Sequence, residues 1–509
     1  MKKSYWVLFL FIILKFVLQY SLIAPEYELQ RDEYLYIDQG SHLAWGYLSV
    51  PPVSSWLGWL IQILGGTVFW VKFFPALFGA LTIVVVWKII EELNGNLFAK
   101  VLASMGLLFS ILLRLNMFFQ PNSLEVLLWT LFFYFLIKYV ITEKIKWLYW
   151  GGITFGIGIL NKYNIAFLAL GFIPALLISH QRRIFANPHL YFAGLLTLII
   201  ALPNILWQYE HHFPVVHHMK ELSERQLVNV NRFDFLRSQA LFFIGVIFVI
   251  LAGLYAVLMD RSFKKFRFFF WGYVFTIALF MYFRAKDYYA MGLYPVYIAF
   301  GAAYLGVILE NGWKRLLRPV SILLPVILFV PLYSLAFPNK SPEFIASHQN
   351  LYKKYGLLRW EDGKDHPIHQ DFADMLGWKE LAQKVDREYA ELSKSGNTLV
   401  LCDNYGQAGA INFYSKLGIK AVSFNADYID WFDLTKKYGN VIRVKDFSES
   451  ENELRETSRY FENSVIVGSV TNPFARENGA TIFGFKGAKT DINKRITDEM
   501  KEVKSYLNR

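Results

Sequence analysis

Charge is scarce in this chain and cysteine nearly absent. Asp, Glu, Lys and Arg make up 18% of its 509 residues, and the one cysteine is Cys402. A single thiol excludes an intramolecular disulfide and a thiolate metal cluster, and it reads as a small buried apolar residue on a strand. Long runs of one charge are missing too. The net charge of +11 is dispersed in short basic clusters between apolar stretches, which excludes a nucleic-acid-binding stripe and makes those clusters topology determinants. There is no internal repeat, no low-complexity tract and no phosphate-loop glycine pattern. Lys2 and Lys3 precede an apolar run as in a signal segment, but no small-residue cleavage site follows before Pro25. That segment is expected to stay attached as the first helix.

What the chain has in excess is apolar and aromatic surface. Hydrophobic residues make up 55%, and 46 Phe, 30 Tyr and 15 Trp exceed what a soluble core needs. Apolar stretches of roughly 17 to 22 residues recur from Tyr5 to Phe337, each long enough to cross about 30 Å of hydrocarbon. They fall near 5–24, 68–90, 99–113, 123–141, 147–161, 164–179, 189–207, 239–259, 267–283, 288–309 and 319–337, and so predict about eleven spans. The pair 147–161 and 164–179 is short and joined by the tight Asn161–Asn164 turn, so half-depth helices are the other reading there. Loops of one parity carry Lys2, Lys3, Lys100, Lys144, Lys146, Arg182, Arg183, Arg261, Lys264, Lys265, Arg267, Lys314, Arg315 and Arg318, whereas short loops of the other parity carry only Arg114, Lys162, Arg284 and Lys286. The positive-inside rule then predicts a multi-pass inner (plasma) membrane protein with a cytoplasmic N-terminus and everything after Phe337 outside.

Two outward loops are long. The first runs from Pro25 to about Thr67 and includes Val53–Leu64, too short to span and suited to the interface. The second, Gln208–Ser238, holds His211, His212, His217 and His218. From Pro338 charge becomes frequent and no apolar span recurs. Strands are predicted at 398–402, 420–424, 441–444 and 465–470, with helices at 404–417 and 491–507. The fold class is therefore an α-helical polytopic membrane domain, 1–337, followed by a small extracytoplasmic α/β domain, 338–509.

Three groups of residues could do chemistry. Arg31-Asp32-Glu33-Tyr34 lies just beyond the first helix, which puts two carboxylates at the outer surface beside apolar walls, where desolvation and a nearby cation tune a base. A solvated loop charge paired with Arg31 is the plain alternative. Lys162 and the Arg284-Ala285-Lys286-Asp287 turn are outward cations in loops otherwise poor in them, and together could hold a phosphate; snorkelling to headgroups is the competing explanation. The paired histidines point to different faces of a helix and no His-Glu-x-x-His pattern is present. They suit structure or substrate contact better than metal, and no metal site is assigned.

These residues resemble the membrane glycosyltransferases of the C-type fold, in the group of protein O-mannosyltransferases and the lipid A aminoarabinose transferase. The motifs, over roughly residues 5–310, are Asp32-Glu33-Tyr34 with Gly46-Tyr47 and Pro51-Pro52, then Gly158-Ile159-Leu160-Asn161-Lys162-Tyr163, Leu202-Pro203-Asn204 to Trp207, and Lys286-Asp287-Tyr288-Tyr289 to Tyr294-Pro295. The resemblance implies Asp32 as base with Glu33 orienting it or the acceptor, and Lys162 and Lys286 on the donor phosphate. Arg284 joins them as a candidate phosphate contact, and Tyr34, Asn122, Tyr163, His217, His218, Tyr288 and Tyr289 are the candidate substrate contacts. It implies an inverting transfer of a hexosyl or pentosyl group from a polyprenyl-phosphate sugar to an unidentified envelope acceptor, the donor being undecaprenyl-like in a bacterium. No cofactor is fixed, and a divalent cation stays open. Where the family shows a second acid after a proline, this chain has Gln120-Pro121-Asn122, with Glu125 one turn on. Pro51-Pro52 also lacks the preceding lysine of aminoarabinose transferases, which disfavours that donor.

Two other readings compete. A secondary transporter or lipid flippase calls for ionisable residues at the bilayer midplane and repeated halves, and the spans show few central charges and no inverted repeat. A scaffold for envelope polysaccharide assembly needs only an anchor and a soluble domain, and an outer carboxylate site argues against it.

Overall fold

The structure, a computed structural model, describes residues 2–225 and 227–507. Every expected span is helical, but the lengths differ from expectation. Among the described residues, six helices are long and apolar enough to cross a bilayer, or up to eight segments if each of two sharply bent pairs is one span. Leu97–Leu108, Lys146–Asn161 and Arg267–Tyr282 are shorter. The stretch read as a single span at 239–259 is two helices, Arg232–Phe242 and Ile247–Met259, bent by 103°. The break has a packing cause: a β-carbon on Gly245 would sit 2.9 Å from the Pro325 α-carbon, so here one backbone presses on another. The second bent pair continues the Asn161–Asn164 turn, where Tyr163–Leu177 meets His180–Ala186 at 110°.

Inside the bundle a polar seam pins the segment that follows Leu112–Leu115. Lys15, 3% exposed, donates to Gln19 Oε1 at 2.7 Å and Asn116 Oδ1 at 2.8 Å. Asn116 in turn donates to Ser123 Oγ, and Gln19 to the Leu113 carbonyl. A lysine at this depth is costly unless its donors are met. Here two amide oxygens meet them, and the 113–123 turn is fixed as a result.

The C-terminal part forms one five-stranded sheet. Its strands are β1 Thr398–Cys402, β2 Val422–Ser423, β3 Asn440–Lys445, β4 Phe461–Ser469 and β5 Thr481–Ala488, in the order β2-β1-β3-β5-β4. β1 pairs in parallel with β2 and β3, while β5 runs antiparallel to both β3 and β4. All five residues of β1 are buried, Cys402 among them. Helices Trp378–Leu392 and Tyr405–Tyr414 share the large core of the molecule with one face of the sheet; Ile492–Leu507 covers Leu399, Leu401, Phe483 and Phe485 on the other. That large core runs without a break from the membrane helices into the sheet. The two parts are thus joined by shared apolar packing and not by a linker alone.

Candidate active site

Local sequence explains why Asp32 sits where it does. Gln30 caps the helix Arg31–Gln39, accepting from the Asp32 amide at 2.9 Å, while the Glu33 carboxylate accepts from the Gln30 amide at 2.7 Å. Both acids then lie in the first turn, where the helix dipole favours negative charge. At its other end the helix meets Val53–Ile63 backbone to backbone: a β-carbon on Gly40 would lie 2.3 Å from the Trp59 nitrogen, and one on Gly58 2.3 Å from the Tyr36 oxygen. The sheet part grips the same helix. Asp38 accepts from Tyr428 at 2.6 Å and Asn412 at 2.7 Å, and Gln39 donates to Asp427 at 2.8 Å. Burial raises the Asp38 carboxyl to about 7 and the Asp427 carboxyl to about 6.

The two neighbouring carboxylates have different surroundings. Glu33 is fully buried and its oxygens are used: Lys72 Nζ lies 2.6 Å from Oε2 and 2.8 Å from Oε1, and the Phe119 amide donates to Oε1 at 2.7 Å. Asp32 is half-buried. Its Oδ1 accepts from Tyr405 at 2.7 Å and its Oδ2 from Gln120 Nε2 at 3.2 Å. The chain continues: Gln120 Oε1 accepts from Asn122 at 3.0 Å, and Asn122 Oδ1 from Lys162 Nζ at 2.7 Å. Asp32 and Lys162 are therefore the two ends of one hydrogen-bonded relay through a pair of amides. Asn122, at the position where the resemblance implies an acid, is a link in it, and Glu125 takes up Lys162 at 3.1 Å and Asn164 at 2.6 Å.

Around this relay lie the cations and aromatics. The Lys162 ammonium sits 4.4 Å from the Tyr289 ring centroid and 5.2 Å from that of Tyr288, a desolvated cation–π arrangement. Lys286 donates to Glu361 Oε1 at 2.8 Å, and Glu361 also accepts from Gln370 at 3.1 Å. Burial works against the Lys286 charge, but the Glu361 carboxylate outweighs it and holds the ammonium above the ordinary lysine range. Arg114 donates to Asp371 Oδ2 at 2.6 Å and lies 3.1 Å from His369 Nε2. Burial, joined by the guanidinium, pushes the His369 imidazole down to about 3. His218, half-buried on Pro214–Arg225, is lowered by burial and further by the Lys286 charge, against the pull of Glu221. Among the described residues, no group of three or more His, Cys, Asp or Glu side chains is arranged to hold a metal ion.

The structure thus brings together Asp32, Asn122, Lys162, Tyr288 and Tyr289, with Lys286 and His218 near each other. The other five expected residues have these surroundings. Tyr34 is fully buried where the helix Arg31–Gln39 meets the sheet part, 5.7 Å from Trp378 and 5.9 Å from Tyr414 between ring centroids. Glu33 is a clamp for the loop 117–120, because three protein donors consume its lone pairs. Arg284 is exposed, with a positive φ of 51°, and donates to the Val228 carbonyl. Tyr163 donates to Asn204 at 2.8 Å and accepts from Gln208 at 3.1 Å, joining the helix Pro188–Glu210 to this corner. His217 is half-buried beside His218. Residues absent from the expectation are Gln120, Tyr405, Arg114 and Glu361. Gln120 stood in the quoted Gln120-Pro121-Asn122 segment and Arg114 among the outward cations, whereas Tyr405 lay in a predicted helix with no site assigned to it. The helix that carries Tyr405 packs closely on Arg31–Gln39: a β-carbon on Gly409 would meet Tyr34 at 2.7 Å and Tyr428 at 2.6 Å.

Comparison with known proteins bears on the family that the motifs resemble. Residues 49–207 match the family described as dolichyl-phosphate-mannose-protein mannosyltransferase. That stretch contains Asn122 and Lys162 but neither Asp32 nor Lys286. A crystal structure of ArnT from Cupriavidus metallidurans bound to undecaprenyl phosphate is similar with a TM-score of 0.62 at 14% identity, over 94% of this chain and 98% of the other. The apo state of the same protein gives 0.61 over 95% and 98%. In sequence, the chain is 24% identical over 263 residues to the lipid A galacturonosyltransferase RgtD of Rhizobium johnstonii. That alignment takes in 48% of this chain and spans about half, 53%, of the relative.

Proposed function

We propose that this chain is a membrane glycosyltransferase that moves a hexosyl or pentosyl group from a polyprenyl-phosphate donor to a hydroxyl of an envelope acceptor, outside the membrane and with inversion. The observation that carries the reading is the relay from a half-buried carboxylate, Asp32, to an aromatic-walled ammonium, Lys162. A base and a phosphate-binding cation at one site are the two elements that such a displacement needs. Asp32 takes the acceptor proton as its oxygen attacks the anomeric carbon. The bond from that carbon to the phosphate oxygen breaks, and the lipid phosphate departs with the electron pair, stabilised by Lys162 and Lys286 without being protonated. Tyr288 and Tyr289 wall the phosphate side, and His217 and His218 contact substrate from the outer helix. Undecaprenyl phosphate in one similar structure and lipid A in the name of one relative support a bacterial polyprenyl donor and a glycolipid acceptor class.

The test is reconstitution in liposomes with a panel of polyprenyl-phosphate sugars and a membrane glycolipid extract. Release of free polyprenyl phosphate coupled to sugar uptake by the extract is the expected result. If no donor is consumed while labelled lipid crosses the bilayer, the protein is a flippase and the transferase reading falls.

Glu361 bears on the same site. Its carboxylate occupies Lys286 as a phosphate oxygen would, so donor binding must displace it. Glu361→Gln is expected to lower the donor KM by about two- to five-fold, the size of a partly exposed ion pair, with kcat unchanged. Steady-state kinetics over donor concentration checks this, and an unchanged or raised KM takes Lys286 out of the phosphate site.

A further inference from the structure

We infer that Tyr405, carried by the sheet part, is a positioning residue for the base: its hydroxyl holds Asp32 Oδ1 so that Oδ2 is the oxygen offered to the acceptor. The inference rests on the transferase reading and adds a residue that lies 373 positions along the chain from the acid it serves.

The two hydrogen bonds on Asp32 are unequal. Tyr405 donates at 2.7 Å and Gln120 at 3.2 Å. The shorter bond to a charged acceptor is the stronger and the harder to exchange. An incoming hydroxyl therefore displaces the Gln120 amide, which keeps Gln30 Oε1 at 3.3 Å as a second acceptor. The Tyr405 bond stays.

The placing of Tyr405 is itself over-determined. The Arg31 guanidinium lies 4.3 Å over its ring, so the residue next to Asp32 in sequence clamps the partner of Asp32. Gly406 leaves room for that clamp: a β-carbon there would be 2.7 Å from Arg31 Cγ and 3.0 Å from Nε. One residue before, Asn404 caps the helix through the Gln407 amide at 3.1 Å and donates to Asp446 at 3.1 Å and Glu477 at 3.3 Å. Gln407 donates to the same two acids at 2.5 and 2.6 Å. The tyrosine thus enters the site from a rigid, fully bonded support.

The phenol is also in the right state. Burial, and then the Asp32 charge, hold its pKa far above the ordinary tyrosine value, with Arg31 opposing. Tyr405 is a proton-bearing donor at any working pH and not a second base.

The test is a cycle of four full-length proteins: wild type, Tyr405→Phe, Asp32→Asn and the double variant, each measured for kcat, donor KM and donor dissociation constant. Phenylalanine keeps the ring under Arg31, and donor binding reports that the site is intact. Tyr405→Phe is expected to lower kcat about tenfold or more, the size of a hydrogen bond to a charged group, with donor KM and dissociation constant unchanged. In the Asp32→Asn background the same change is expected to cost less than about twofold, since the two residues act as one unit. An equal loss in both backgrounds, or none in wild type, overturns the assignment while leaving the transferase reading intact. A wild type that consumes no donor fails that reading first, and the role of Tyr405 with it.

Discussion

Asp32→Asn is expected to bind the polyprenyl-phosphate sugar as wild type does and to transfer it roughly 10²–10⁴-fold more slowly, the contribution of a positioned general base. An asparagine keeps the shape of the side chain and can still accept from Tyr405, which donates to Oδ1 at 2.7 Å. What it loses is the capacity to take a proton. The loss should therefore fall on kcat and leave the donor KM alone, the signature of an interaction made in the transition state only. Single-turnover transfer with prebound donor separates this from a slower release of product. A variant that loses donor binding and rate together would make Asp32 a ligand of the donor instead.

The neighbouring acid gives the second large effect, of a different kind. Glu33→Ala is expected to destabilise the protein by about 3–5 kcal/mol, the cost of stranding one member of a buried ion pair. The pair is close, Lys72 Nζ to Glu33 Oε2 at 2.6 Å, and neither side chain has appreciable exposure, 11% for the lysine and 0% for the glutamate. Losing it also frees the amides of Gln30 and Phe119, so the loop that carries Gln120 loosens. Thermal unfolding of the purified protein measures the drop, and the companion Glu33→Ala/Lys72→Met variant, with no stranded charge, should recover part of it. If instead Glu33→Ala unfolds like wild type, binds donor and fails to transfer, the base is Glu33 and the assignment of Asp32 is wrong.

Sequence reasoning reached the helices because lipid imposes a length and polarity that a window of residues displays directly. It also reached four of the five strands, since Val, Ile and Thr in short runs mark them. β5 was missed: Thr481-Ile482-Phe483-Gly484-Phe485-Lys486-Gly487 carries two glycines, and Gly484 lies under the Glu388 carboxylate, a neighbour nearly a hundred positions away in sequence. The break at Gly245 was missed for the same reason, since its cause is a proline 80 positions away in sequence. Within the proposed site, Asp32, Lys162, Tyr288 and Tyr289 sat in ordered motifs and could be singled out from sequence. Their partners could not. Tyr405 meets Asp32, Asp371 meets Arg114 and Glu361 meets Lys286 across 373, 257 and 75 residues, and no local spacing encodes a contact made only by the docking of one part on another. Tyr34 is the converse case: its motif position is that of an expected substrate contact, while its ring packs against Trp378, Phe413 and Tyr414.

The hold of Tyr428, Asn412 and Asp427 on the helix Arg31–Gln39 has a consequence for how such proteins diverge. A sheet part borrowed from a relative would bring the wrong hand to this handle, so the first loop and the C-terminal part must change together. In a chimera that replaced only one of the two segments, the helix Arg31–Gln39 would lose these partners, and the position of Asp32 at its first turn would shift with it.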